Sequence, residues 1–130
     1  MVDDDLQGTW QCQYWFQNTK HDNREEVSQY TVAIRRHDNG YAFRSVPNGG
    51  ETSGSQLEGQ LGVDGSVVTG TWTENTAPSG EWNGMTYTGA LQLLRSADNQ
   101  RLSGKWVATI YNNGNPTSAT GRWEFTRKEG

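Results

Sequence analysis

Apolar and polar positions alternate along this chain at a spacing of two. Trp10, Cys12, Tyr14 and Phe16 form one such series, Tyr30, Val32 and Ile34 a second, and Leu57, Leu61 and Val63 a third. Residues i and i+2 of an extended strand share a face, so each series reads as a strand with one side against a core. Met85, Tyr87, Leu91 and Leu93 continue the pattern. So do Leu102, Trp106, Ala108 and Ile110, and then Ala119, Gly121, Trp123, Phe125 and Arg127. No segment sustains a helical period. The most leucine-rich stretch, Ala90 to Leu94, is too short for a helix and is bracketed by Gly89 and Asp98-Asn99.

Turn chemistry separates these series. His37-Asp38-Asn39-Gly40 and Asp64-Gly65 read as hairpin turns, where Asn-Gly and Asp-Gly supply the positive φ angles a tight reversal needs. Pro47-Asn48-Gly49-Gly50, Asp98-Asn99 and the run from Asn112 to Pro116 also break the pattern. Eight strands are predicted, at about 7–16, 26–36, 41–46, 55–63, 66–74, 84–96, 101–111 and 118–127. Strands joined by turns with no helix between them form an antiparallel meander. An open sheet of that size leaves two unpaired edges, and closure removes them. The expected fold is therefore all-β: a single eight-stranded, antiparallel, up-and-down β-barrel, with a two-sheet β-sandwich as the alternative.

One phrase recurs through the strands. Gly-x-Trp occurs at Gly8–Trp10, Gly70–Trp72, Gly80–Trp82, Gly104–Trp106 and Gly121–Trp123, and of the 6 tryptophans only Trp15 lies outside it. On a strand each glycine leaves space beside its tryptophan, on the same face, for a large side chain from a neighbouring strand. The first copy sits near the amino end and the last near the carboxyl end, as in a sheet whose terminal strands meet.

Composition narrows the function classes. The 130 residues make one domain. Residues 1–6 read as an acidic linker remnant with Met1 as a start, 7–127 as the barrel domain, and 128–130 as a tail. A net charge of −4 gives no electrostatic footprint for direct nucleic acid binding. The single cysteine, Cys12, forbids an internal disulfide and reads as a small buried hydrophobe. His21 and His37 are separated from it and from each other, so no metal-ligand spacing appears and no cofactor is implied. No apolar run approaches a membrane span, and the acidic start is unlike a signal peptide. The expected location is cytoplasmic, and the oligomeric state is left open.

The two chain ends carry a resemblance. A first strand with Gly8-x-Trp10 and a last strand ending in Arg127 resembles the calycins, that is, lipocalins, fatty-acid-binding proteins and avidins. In lipocalins the early tryptophan closes the barrel floor and a late arginine packs across it, which implies a cation–π closure between Trp10 and Arg127. A second resemblance covers nearly the whole chain. The run from Thr69 to Leu94, with Leu102 to Trp106 and Thr120 to Arg127, is similar to the carboxyl-terminal domain of certain bacterial helix-turn-helix transcriptional regulators. That implies a sensor half whose DNA-binding domain would precede it. The chain departs from avidins in placing Gln11 and Cys12 after the first Gly-x-Trp, so biotin is not implied. It departs from fatty-acid-binding proteins in that residues 17–25 are too few and too polar for a helical lid.

Strand parity places Tyr14, Trp72, Glu74, Tyr87 and Trp106 on the inward face, with Arg36 or Arg44 joining them at a rim. Two placements are open to Glu74: solvated at the barrel mouth, or a polar anchor inside an aromatic cup, which suits a flat or cationic ligand. The connection 75–83 is longer than a hairpin needs. Its Trp82 either covers a ligand as a lid or packs on the rim. The candidate ligand-binding set is Tyr14, Trp72, Glu74, Trp82, Tyr87 and Trp106. No catalytic motif appears, so the expected function is a non-enzymatic small-molecule-binding or sensor barrel. The alternatives are a carbohydrate-binding module using exposed Trp15 and Trp82, a ligand-free interaction domain, and an isomerase or cyclase pairing Glu74 with Tyr87 or an arginine.

Overall fold

A computed structural model describes residues 5–18, 22, 24–46, 55–76, 84–112 and 114–128. Eight strands run in chain order: β1 (Gly8–Asn18), β2 (Arg24–His37), β3 (Gly40–Ser45), β4 (Gln56–Asp64), β5 (Val67–Asn75), β6 (Thr86–Arg95), β7 (Arg101–Asn112) and β8 (Asn115–Arg127). Each pairs antiparallel with the next, and β8 returns to β1, so the sheet closes into a barrel in simple meander order. Closure rather than a two-sheet sandwich follows from the ends of the chain. β1 is long enough to pair with β2 along its whole length and with β8 from Trp10↔Arg127 to Tyr14↔Trp123.

The inward face is the apolar series of each strand. Trp10, Cys12 and Tyr14, Val32 and Ile34, Leu57 and Leu61, Leu91 and Leu93, and Trp123 and Phe125 are all buried in one cluster. Met85 is an exception to the expected face of β6. It precedes the strand and is exposed, while Tyr87, Leu91 and Leu93 point inward.

Glycine–tryptophan pairing across strands explains the repeated phrase. Trp72 lies opposite Gly59 on β4 and Gly89 on β6, Trp106 opposite Gly121, and Trp123 opposite Gly104. The Trp72 ring lies in the space at Gly89 and the Trp106 ring in that at Gly121, whereas the Phe43 ring approaches Gly59 and the backbone of Gln92 and Leu93 approaches Gly104. At Gly121 a Cβ would stand 2.7 Å from Trp106 Nε1 and 2.1 Å from the carbonyl oxygen of Trp15. This clearance lets the Trp106 indole N–H cross β8 and donate to the Trp15 carbonyl at 2.9 Å. Trp72 Nε1 donates in the same way past Gly89 to the carbonyl of Ala90 at 3.1 Å.

One end of the barrel is plugged. The Arg127 guanidinium lies 4.3 Å from the Trp10 ring, the contact that the calycin resemblance implies. It also donates to the carbonyl oxygens of Asp5 at 2.9 Å, Gln7 at 3.0 Å and Asn99 at 3.3 Å. Asp5 and Leu6 precede β1 yet belong to this floor: Leu6 is fully buried, and its carbonyl accepts the Trp10 indole N–H at 2.9 Å.

Two turns differ from the expected chemistry. In the β2–β3 turn the left-handed residue is Asp38 (φ 53°), not Gly40. Gly40 instead opens β3, where a Cβ would meet the Leu61 carbonyl oxygen at 2.4 Å. β8 begins at Asn115, ahead of the expected start at residue 118. Pro116 is accommodated near the strand end opposite Tyr111.

Candidate functional site

The end opposite the floor carries the polar chemistry. Glu74 is the penultimate residue of β5, and strand alternation turns it inward, in register with Leu57 on β4 and Tyr87 on β6. It is buried, with 7% of its surface exposed, so the solvated placement does not occur. The Tyr14 hydroxyl donates to one of its oxygens at 2.5 Å and the Tyr30 hydroxyl to the other at 2.5 Å. The two tyrosines come from β1 and β2 and straddle the carboxylate. Beyond them, Ser28 lies within hydrogen-bonding reach of Tyr14 and Ser55 within reach of Tyr30.

Electrostatics follow from this burial. Loss of water pushes the Glu74 carboxyl above its ordinary value, and the two donated hydroxyl hydrogen bonds pull partly the other way. Burial and then the Glu74 charge push the Tyr14 and Tyr30 hydroxyls upward, so both stay protonated as donors. The same two causes, in the same order, raise Tyr87 and the Cys12 thiol.

The walls are aromatic. Trp72 and Trp106 meet edge to face at 5.8 Å and 89°, and Tyr14 meets Trp106 at 6.2 Å and 83°. Beneath them Trp123 stacks on Tyr14 at 5.2 Å and 20° and tilts against Trp72 at 5.6 Å. These rings separate the Glu74 level from the floor. Residual exposure at the Glu74 level is small: Tyr14, Trp72, Glu74 and Trp106 retain 9, 5, 7 and 7%, and Leu57, in register with Glu74, retains none.

Tyr14, Trp72, Glu74, Tyr87 and Trp106 thus converge at one end, with Tyr87 partly buried. Trp82 and most of its connection lie outside the described residues. Neither arginine joins the cup. Arg36 is near the floor, its Nε 3.7 Å from Asp5 and its guanidinium 5.4 Å from the Tyr41 ring. Arg44 faces outward and pairs with Glu58 at 3.4 Å. The reason is register: parity turns Arg36 toward the interior face, but at the wrong end of β2, and turns Arg44 to the outside.

Tyr30 is the member that strand patterning did not single out. It shares a face with Val32 and Ile34, and the β1–β2 register, Cys12↔Tyr30, is what brings its hydroxyl to Glu74. Trp15 faces outward, and the Arg122 guanidinium sits 4.2 Å from its ring. A groove of about 740 Å³ opens along β2 to β5 among Ala33, Arg35, Ala42, Arg44, Glu58 and Gln60; Phe43 and Trp72 also line it, and Glu74 does not. Among the described residues no group of three or more His, Cys, Asp or Glu gathers in a way that would hold a metal ion.

A pH experiment reads the Glu74 environment directly. Its folded value is raised, so its contribution to stability is complete below the unfolded value near 4.5 and is lost as pH rises through the folded value. Replacing Glu74 by Gln removes that loss while an amide still pairs with both hydroxyls. The stability of Glu74→Gln relative to wild type is expected to improve between pH 4 and pH 8, by about 1.4 kcal/mol for each unit of upward shift. Urea midpoints of the two proteins across that range provide the check; a difference independent of pH contradicts it.

Comparison of the chain with family models, with curated proteins and with solved structures returned no match.

Proposed function

We propose that this domain is a non-enzymatic barrel that binds a small molecule at the Glu74 end. The observation that carries the reading is the buried Glu74 carboxylate, held between the Tyr14 and Tyr30 hydroxyls at the end of the barrel that the Trp10–Arg127 plug leaves free. A buried carboxylate is costly, and it serves stability less well than an apolar side chain of the same size. Its retention among aromatic rings is what a polar anchor in a binding cup requires. The β3–β4 and β5–β6 connections, 46–55 and 76–85, leave from this same end, whereas the turns 38–39 and 65–66 at the floor are tight. Long connections around one mouth are where barrels place residues that touch ligands.

The regulatory reading, in which this is the sensor half of a bacterial transcription regulator with an upstream DNA-binding domain, rests on the sequence resemblance alone. The carbohydrate-module reading is weaker, because the Arg122 guanidinium already occupies a face of the Trp15 ring.

A thermal-shift screen of metabolites, followed by calorimetry, tests the proposal. A ligand at a hundred times its dissociation constant stabilises the fold by about 2.7 kcal/mol, and Tyr30→Phe is expected to weaken its binding at least tenfold. A ligand that binds Tyr30→Phe and Glu74→Gln as tightly as wild type would place the site elsewhere.

A further inference from the structure

We infer that the cup selects a hydrogen-bond-donating organic cation, an ammonium or amidinium carried on a flat apolar body, whose head group seats on the Glu74 oxygens left open beside the Tyr14 and Tyr30 hydroxyls. The inference rests on the binding reading above and gives it a ligand class.

Four observations point the same way. An ionised carboxylate offers about four lone-pair directions, and the two tyrosine hydroxyls take one on each oxygen. Further donors are therefore needed, and donors that carry charge make the stronger bonds.

Second, among the described residues no lysine or arginine pairs with Glu74. Arg36 and Arg127 are at the floor, Arg44 pairs outside with Glu58, and Arg122 lies over Trp15 on the outer face. Among the described residues, the titratable groups whose values the Glu74 charge shifts are Cys12 and Tyr14 from β1, Tyr30 from β2 and Tyr87 from β6. None of them is cationic, and the two tyrosines that touch it act as donors.

Third, the rings of Tyr14, Trp72 and Trp106 gather next to Glu74, and a cation is attracted to the face of an aromatic ring. An anionic ligand meets the opposite conditions, a like charge at the head and electron-rich walls.

Fourth, depth is limited. Trp72, Trp106 and Trp123 pack across the barrel below Glu74, with Trp72 5.8 Å from Trp106 and 5.6 Å from Trp123. The head group therefore stops at the carboxylate, and the body lies back toward the mouth.

The test uses the full chain and three probes of one shape: benzamidinium, neutral benzamide and benzoate. The indole ¹⁵N–¹H resonances of Trp72 and Trp106 report the cup, and that of Trp10 reports the far end. Benzamidinium is expected to shift the Trp72 and Trp106 signals saturably at pH 7.5 and to leave Trp10 still. Benzamide is expected to bind at least tenfold more weakly, benzoate not at all, and Glu74→Gln to lose at least tenfold in benzamidinium affinity. In wild type, benzamidinium affinity is expected to fall as pH drops and Glu74 takes up a proton, a measurement that needs no variant to fold. If benzamide binds as well as benzamidinium, or if benzamidinium affinity is unchanged in Glu74→Gln or with pH, the cation assignment is wrong while small-molecule binding stands. If no probe moves the Trp72 and Trp106 signals, both the assignment and the binding reading fall.

Discussion

Replacing Trp123 by Ala is expected to destabilise the barrel by about 3–5 kcal/mol, the range for deleting a fully buried large aromatic side chain. Trp123 has no exposed surface and lies at the centre of the ring cluster. It stacks on Tyr14 at 5.2 Å and contacts Trp72 at 5.6 Å, Phe125 at 6.1 Å and Phe43 at 6.5 Å. Small domains are stable by about 5–15 kcal/mol, so the variant loses a large share of its margin. The melting temperature falls by roughly 10–20 °C at this chain length. The neighbours cannot collapse into the space, because Trp72, Phe43 and Phe125 are each held on separate strands of a closed sheet. Trp123→Phe is expected to lose roughly half as much or less. A phenyl ring keeps most of the contacts and removes the Trp123 indole N–H, which is buried with the Cys12 thiol as its weak partner. Urea unfolding of the three proteins measures the order. A Trp123→Ala loss below about 1 kcal/mol would mean that the rings are not packed as described.

The second large effect is expected at the floor. Arg127→Leu should cost about 2–3 kcal/mol. It removes donors to the carbonyls of Asp5, Gln7 and Asn99, and the cation from the Trp10 ring. Leucine covers the ring but donates to none of those carbonyls, of which that of Asp5 keeps the Asn99 side-chain amide at 3.3 Å. Arg127→Lys keeps the charge and rescues only part of the loss, since a point charge cannot serve three carbonyls in a fork. The loss should be local first. Amide exchange at Leu6, whose N–H donates to the Tyr41 hydroxyl at 3.4 Å, is expected to accelerate in Arg127→Leu more than at Trp72 in the barrel wall. Equal acceleration everywhere would mean that Arg127 acts on global stability alone. A double-mutant cycle with Trp10→Phe isolates the ring contact, expected near 1 kcal/mol.

Together the two variants separate the halves of the molecule. Trp123 supports the aromatic layer beneath Glu74, and Arg127 holds the plug at the other end. If the barrel works as a binding cup, Arg127→Leu should lower stability with little change at the Glu74 site, because the aromatic layer stands between them.

Much of this architecture is legible in the residue order. Alternation at a spacing of two marks most strands, because the pleat turns successive side chains to opposite faces; β3 is legible from the turns around it and β5 from Gly70–Trp72. Trp10 near one end and Arg127 near the other marked the closure. The five Gly-x-Trp copies marked the packing, although only four of them lie among the described residues of strands or their flanks; Gly80–Trp82 does not. The copies that remain have divided roles. Trp10 belongs to the floor, Trp123 to the layer above it, and Trp72 and Trp106 to the wall of the cup, each indole reaching a backbone carbonyl past a glycine on the neighbouring strand.

By itself, then, the sequence determined which face most strands bury, since that follows from local periodicity, and it favoured closure over a sandwich through Trp10 and Arg127; the pairing of β1 with β8 decided it. Only the tertiary structure decided height along the barrel. Tyr14 and Tyr30 are separated from Glu74 by 60 and 44 residues, and parity says that all three point inward without saying at which level. The tilt and stagger of a closed sheet bring them to one height, just as they leave Arg36 at the opposite end. A buried carboxylate between two hydroxyls is a property of that stagger, and no single strand contains it.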